Sequence, residues 1–141
     1  MNILIDIGHP AHVHLFRPFS LIMQDKGHKV LFTYRKREYI QELLESSNFE
    51  HTSLGKRFKS ISGKIYGLIK FSFLLFNAAI RFKPDIFLSH GSMYASFVSF
   101  LVGRPHISME DSGNMEQIRL YLPFTNVILT PYELSENLGK R

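Results

Sequence analysis

Short apolar runs alternate along the chain with segments whose apolar residues recur every three or four positions, the pattern of strands followed by helices. Asn2 to Ile7 is a short apolar run, and Leu15, Phe19, Ile22 and Met23 then fall at helical spacing before the stop signal Lys26, Gly27. Lys29 to Tyr34 predicts a second strand. Lys36 to Ser47 predicts a helix with Tyr39, Ile40, Leu43 and Leu44 inward, and His51 to Leu54 a third strand before a basic loop opening at Gly55. From Ile61 to Phe82 the pattern is helical, with Ile61, Ile65, Leu68, Leu75, Phe76 and Ala79 as the core stripe and Tyr66, Phe73 and Leu74 opposite, near Lys70 and Arg81. Lys83, Pro84 and Asp85 stop it. The remainder predicts a strand Ile86 to Ser89, a loop His90-Gly91-Ser92, a helix Tyr94 to Leu101, a strand His106 to Met109, a short helix Met115 to Leu122 and a sixth strand Asn126 to Leu129.

Strands that are apolar throughout, separated by helices, predict an α/β fold with a doubly wound, mainly parallel Rossmann-like sheet of about six strands covered on both faces. In such sheets ligands bind outside the carboxyl ends of the strands, where strand order reverses. The loops at issue are Gly8 to His12, Tyr34 to Arg37, His90 to Met93 and Glu110 to Asn114. At 141 residues the chain predicts one domain, and a two-domain mechanism would need its second half from elsewhere. The polar segment Pro131 to Arg141 reads as a chain heading into something more.

Composition narrows the class. Apolar residues make up 45% and charged residues 21%, which fits a packed domain rather than a disordered or rod-like chain. With no cysteine, disulfides, thiolate nucleophiles and Cys-based metal sites are excluded, in keeping with a reducing compartment. The amino terminus has no basic region ahead of an apolar core, so cytoplasmic synthesis without a signal peptide is expected. Within the helix expected over Ile61 to Phe82 the longest uncharged run, Phe71 to Ile80, is ten residues, about half a membrane span, and no helix is expected to cross a bilayer.

The net charge of +5 is local. Gly55 to Lys83 holds seven basic and no acidic residues, whereas residues 1–54 balance and residues 84–141 are mildly acidic. Exposed aromatics beside Lys and Arg on that segment fit an anionic membrane surface or a protein docking face, unless neighbouring helices or a further domain cover them. No nucleic-acid reader motif accompanies the charge, so nucleic acid ranks below both.

No G-x-G-x-x-G, phosphate-binding G-x-x-x-x-G-K-[ST] or H-E-x-x-H motif is present. In their place IDIGHPAHVH follows the first strand. Gly8 frees the backbone for a tight turn, His9 sits near the N-cap and Pro10 suits the first helical position. His9 can take a proton from a substrate hydroxyl, contact a phosphate, or merely cap the helix. His12 lies beside it, but His12 and His14 are about 200° apart on a helix and no adjacent carboxylate completes a set, so no metal site is expected. His90, Gly91 and Ser92 enter the crevice ahead of a helix, with Gly91 allowing a ligand near the backbone; a plain N-cap and a satisfied core histidine are the alternatives. Glu110 and Asp111 follow the fifth strand, ahead of a turn at Ser112. Adjacent side chains on an extended chain point opposite ways, so one of the two carboxylates is expected to face the site, with Glu110 favoured.

IDIGHPAHVH, RFKPDIFLSHGSMYASF and LPFTNVILTP resemble the amino-terminal half of the prokaryotic family catalogued as domain of unknown function 354, over Met1 to about Glu133. That family is regarded as glycosyltransferase-like, with a GT-B fold. More distantly, KPDIFLSHGS and MED resemble non-hydrolysing UDP-N-acetylglucosamine 2-epimerases and the membrane-associated transferase that adds N-acetylglucosamine to lipid-linked muropeptide. The resemblance implies an acceptor-side domain of a sugar transferase in surface polysaccharide or glycolipid synthesis, at the inner face of the membrane. His9 would be the general base and Glu110 a catalytic carboxylate; Gly8, His12, His90, Gly91, Ser92, Asp111 and Ser112 would contact substrate. A nucleotide-sugar would be the substrate, with no cofactor, and the donor-binding domain would be supplied by a carboxy-terminal domain or a partner subunit. The epimerase motif HGD is HGS here, so Ser92 replaces an acid. The rivals are an epimerase-like enzyme and a non-catalytic module that binds a glycan carrier or a partner.

Overall fold

The computed structural model describes residues 1–131 apart from 38, 57 and 59, and not the side chains of residues 61 and 64. Strands and helices alternate in the order β1 (Asn2–Ile7), α1 (Pro10–Asp25), β2 (Lys29–Lys36), α2 (Ile40–Ser46), β3 (Glu50–Lys56), α3 (Ile61–Phe82), β4 (Ile86–His90), α4 (Met93–Leu101), β5 (His106–Met109), α5 (Met115–Tyr121) and β6 (Val127–Leu129), with a 3-10 turn at Leu122–Phe124. Every strand pairing is parallel, and the sheet order is β3-β2-β1-β4-β5-β6. The chain winds outward from β1 and then outward again from β4. The loops after those two strands therefore diverge and leave a crevice between them.

Alternation along the strands builds two cores. Ile3, Ile5 and Ile7 pack with Val13 and Phe16 of α1 and Ile40 and Leu44 of α2. Leu4, Leu31 and Phe87 pack on the other face with Phe71, Leu75 and Ala79 of α3 and Ala95 and Val98 of α4. Each core shields one face of the parallel ladder from water.

Several helical faces differ from the sequence reading. On α1, Val13, Phe16 and Ser20 are buried while Leu15 and Ile22 lie in solvent, because the row facing the sheet starts two residues earlier than the apolar count implies. Tyr39 is exposed, in the left-handed region with φ 59° ahead of α2, rather than inward. β3 runs on through Gly55, where φ is +98°, so the basic loop opens beyond Lys56. On α3 the buried row is Gly67, Phe71, Leu75 and Ala79, a strict four-residue spacing, and Ile65 and Leu68 are exposed. The Ile61 side chain and residues 132–141 lie outside the described residues. Gly67 sets the buried side: a Cβ there would meet the Phe58 ring at 2.9 Å, so this ring lies over the helix only because residue 67 has no side chain. A wheel weighted by hydrophobicity cannot register that.

α3 is also more apolar than its uncharged runs indicate. The stretch Ile65–Phe82 is long and apolar enough to cross a membrane by length and composition. Lys70 and Arg81 interrupt it without lowering its hydropathy far, which an uncharged-run count misses. In this fold its inner row packs on the sheet.

At the carboxyl end of the sheet, on the α3 and α4 face, Thr33, Asp6, Ser89 and Ser108 align across four strands, all buried. Next to them His106 is fully buried, accepting at Nε2 from the Ser89 hydroxyl (2.9 Å) and donating from Nδ1 to Thr125 Oγ1 (2.9 Å). Thr125 donates in turn to the Tyr121 carbonyl (2.8 Å), and Ser89 Oγ accepts from the Ser92 backbone N–H (3.2 Å).

Burial lowers the His106 pKa from 6.5 to about 4. Between those values the unfolded chain binds a proton that the folded one refuses, so this contribution to stability is complete above about pH 6.5 and is lost as pH falls toward 4. Urea unfolding across that range should show the decline, with a shallower slope in His106→Gln; equal slopes in both proteins would exclude His106 as a source.

Candidate functional site

A cleft of about 580 Å³ opens at the carboxyl ends of β1, β2 and β4, where the strand order reverses. Gly8, His9 and His12 come from the loop after β1 and the first turn of α1, Arg35 and Arg37 from the end of β2, and His90, Gly91 and Ser92 from the loop after β4. Phe71, Leu68 and Phe58 form its apolar wall, and Gln117 of α5 its rim. Three of the four loops singled out from the sequence therefore meet here.

Beneath the cleft, the Asp6 carboxylate accepts from Thr33 Oγ1 (2.9 Å), Arg35 Nη1 (2.9 Å) and Ser92 Oγ (2.5 Å). The Asp6–Arg35 ion pair is buried on both sides. Its geometry fixes Arg35, whose guanidinium stacks 4.8 Å from the Tyr94 ring centre and packs against Gly8. Gly8 is needed for that approach rather than for a turn: a Cβ there would stand 2.8 Å from Arg35 Nη2. Ser92 has two tasks, donating to Asp6 and capping α4 by accepting from the Ala95 N–H at 3.2 Å. The sequence reading named Gly8 and Ser92 but missed Asp6 and Arg35. The signal was available, since a lone carboxylate inside an apolar strand needs a partner on a neighbouring strand.

Three imidazoles line the cleft. His9 is the N-cap of α1, its Nδ1 accepting from the Ala11 N–H at 3.2 Å, so a neutral ring carries its proton on Nε2. His12 Nδ1 faces the Gly8 N–H at 3.4 Å, with the same consequence. The His12 ring stacks on His90 with centroids 4.5 Å apart, and His9 lies 5.9 Å from His12. Burial, reinforced by His90, His9 and Arg35, lowers the His12 pKa to about 4, so His12 is neutral at physiological pH. His90 Nε2 meets Asp111 Oδ1 at 3.0 Å.

The two adjacent carboxylates diverge as the alternation rule requires, yet both are engaged. Glu110 is buried beneath the loop, accepting from the Ser112 N–H (2.8 Å), the Ser112 hydroxyl (2.5 Å) and the Tyr121 hydroxyl (2.6 Å). Burial pushes its carboxyl up, but the hydrogen bonds from Ser112 and Tyr121 outweigh it and hold the group below its usual range. Glu110 does not line the cleft. It stands under Gly91, whose missing side chain leaves room for Glu110 Oε2 (3.4 Å) and Gln117 Nε2 (3.1 Å), so protein atoms rather than open space occupy the side of Gly91. Gly91 adopts φ +60°, which favours glycine. Asp111 is exposed and reaches His90. His14 faces solvent, away from the other histidines.

The chain matches the family described as protein of unknown function (DUF354) over residues 1–140, and it belongs to that family. It is 25% identical over 138 residues to an uncharacterized protein of Methanocaldococcus jannaschii, covering 97% of this chain and 40% of that relative. The chain thus spans well under half the length of the curated relative it matches. Among solved structures it is similar to MurG of Acinetobacter baumannii (TM-score 0.77, 13% identity, 93% of this chain and 41% of that one). It is also similar to the UDP-GlcNAc 2-epimerase of Neisseria meningitidis bound to UDP-GlcNAc (0.73, 21%, 98% and 42%). The 2-epimerase of Methanocaldococcus jannaschii gives 0.72 at 12% identity, over 98% and 41%. The shared fold is the amino-terminal domain of GT-B-like proteins, as its six-stranded parallel sheet also has it.

Removing the carboxylate under the cleft strands a buried guanidinium. Asp6→Ala should cost about 3–5 kcal/mol of stability, read as a lower urea midpoint. Gly8→Ala, which displaces Arg35 without removing its partner, should cost less; an Asp6→Ala midpoint equal to wild type would disprove the pair's role.

Proposed function

We propose, on the premise of this family membership, that the chain is the acceptor-side, amino-terminal half of a GT-B-like glycosyltransferase acting in surface polysaccharide or glycolipid synthesis. The observation that supports this best is the cleft at the point of strand reversal, where three imidazoles and a buried arginine meet an apolar wall. Hydrogen-bond donors beside an apolar surface suit a sugar with its hydroxyls and ring faces. The similar solved chains carry names of enzymes acting on nucleotide-sugars, which favours a nucleotide-sugar as the donor.

His9 then presents Nε2–H to a substrate oxygen. Acting as the base through Nε2 would break its capping bond to Ala11, at a cost of about 1 kcal/mol. His12, neutral, donates through its own Nε2. Gly8, Gly91 and Ser92 shape the wall, and Ser112 with Glu110 fixes the loop that carries Asp111. An epimerase route is disfavoured by Ser92: a carboxylate in its place would face Asp6, which Ser92 now contacts at 2.5 Å.

The exposed side of α3 gives the proposed membrane contact. Ile69 and Phe73, 68% and 63% exposed, border an apolar groove of about 540 Å³ with Phe97, Leu101 and Phe124. Lys70 on the same helix supplies charge of the sign that anionic lipid attracts.

Two outcomes test the reading. The full-length protein incubated with UDP-, dTDP- and GDP-sugars should release nucleoside diphosphate, and His9→Ala should lower turnover at least about tenfold with donor affinity kept. Unchanged turnover removes His9 from the reaction, and an inverted sugar-nucleotide without nucleotide release would make the protein an epimerase. Sedimentation with anionic vesicles at low salt should carry the protein down, and Phe73→Glu should weaken this; no binding at low salt ends the membrane proposal.

A further inference from the structure

Two of the three imidazoles in the cleft are committed as donors. Backbone N–H groups of Ala11 and Gly8 occupy Nδ1 of His9 and His12, which leaves each neutral ring with a proton on Nε2. His90 is held the other way. Its Nε2 meets a carboxylate oxygen of Asp111 at 3.0 Å, and a carboxylate only accepts, so Nε2 carries the proton. Nδ1 then bears the lone pair, and among the described residues no hydrogen bond engages it. The ring is fixed in rotation by stacking on His12 at 4.5 Å and is itself a lining residue of the cleft.

We propose that His90, held by Asp111, is the general base of this site, a role the resemblance assigned to His9. This rests on the sugar-transfer reading. An acceptor hydroxyl gives its proton to His90 Nδ1 as the hydroxyl oxygen forms a bond to the anomeric carbon of the nucleotide-sugar. The bond from that carbon to the diphosphate oxygen breaks, and its electron pair leaves with the nucleoside diphosphate. Asp111 stabilises the imidazolium until the proton passes to solvent. His90 is the catalytic residue, and Asp111 the positioning residue that sets its tautomer.

The charged and titratable groups around His90 come from every side. His12 stacks on it from α1, with His9 and Arg35 beyond, and Asp111 and Glu110 face it from the end of β5. Of these, Glu110 is fully engaged by Ser112 and Tyr121, and His12 is neutral, so Asp111 is the group whose removal changes His90 most directly.

The test uses the full-length protein. Long-range proton–nitrogen NMR of histidine-labelled protein, with His90 assigned by its loss in His90→Gln, should show Nε2 protonated and Nδ1 bare. In Asp111→Asn, which takes away the carboxylate acceptor, the preference for the Nε2-protonated tautomer should weaken. With a nucleotide-sugar that the wild type turns over, His90→Gln should lower kcat about 10²–10⁴-fold with the donor KM within about twofold. Asp111→Asn should lower kcat in step with that loss of tautomer preference, which a merely structural role would not do. Should His90→Gln fail to fold, Asp111→Asn at an exposed position still carries the test. A proton on Nδ1, or a tautomer preference unchanged in Asp111→Asn, overturns the dyad and leaves the transferase reading standing. Nucleotide release from no donor in the wild type overturns that reading and the base role with it, while the tautomer is still read directly by NMR.

Discussion

A single carboxylate buried in the sheet decides how this cleft is built. Asp6 sits between apolar neighbours on β1, where an unpaired charge is costly, and its demand for donors draws in Thr33 and Arg35 from β2 and Ser92 from the N-cap of α4. Those groups lie on the two sides of the point where strand order reverses. The charge therefore ties together the elements that otherwise only pack side by side. An apolar residue of similar volume could be as stable at this position, but it would leave Arg35 and Ser92 without a fixed place.

The same logic explains the glycines. Gly8 looks like a turn residue in sequence, but its service is to let a guanidinium pass close to the backbone, and Gly67 lets an aromatic ring lie across α3. At Gly91 both properties coincide, a left-handed backbone and a side filled by Glu110 and Gln117. In each case the absent side chain is defined by a partner distant in sequence.

The fold class, the parallel sheet and the loops at its mouth were legible because they depend on local apolar runs and on punctuation by Gly, Pro and Lys. β1, α3 and β5 match their expected bounds. What escaped was the facing of α1 and α3 and the pairing of Asp6 with Arg35, since both depend on contacts across the fold. The Glu110-Asp111 step shows the boundary well. Alternation foresaw that the two carboxylates diverge, but which of them reaches a histidine depends on how the turn at Ser112 folds back on Glu110.

The row of bonds from Ser92 N–H through Ser89, His106 and Thr125 to the Tyr121 carbonyl runs with every donor pointing the same way. Such a row has one polarity, set at both ends by backbone groups that cannot exchange roles. No single hydroxyl within it can rotate without breaking two contacts at once, so its members act as a unit and carry no proton from end to end. The floor of the cleft is thus keyed to the turn before β6 by an orientation as well as by distance, and a shift at one end is felt as misalignment at the other.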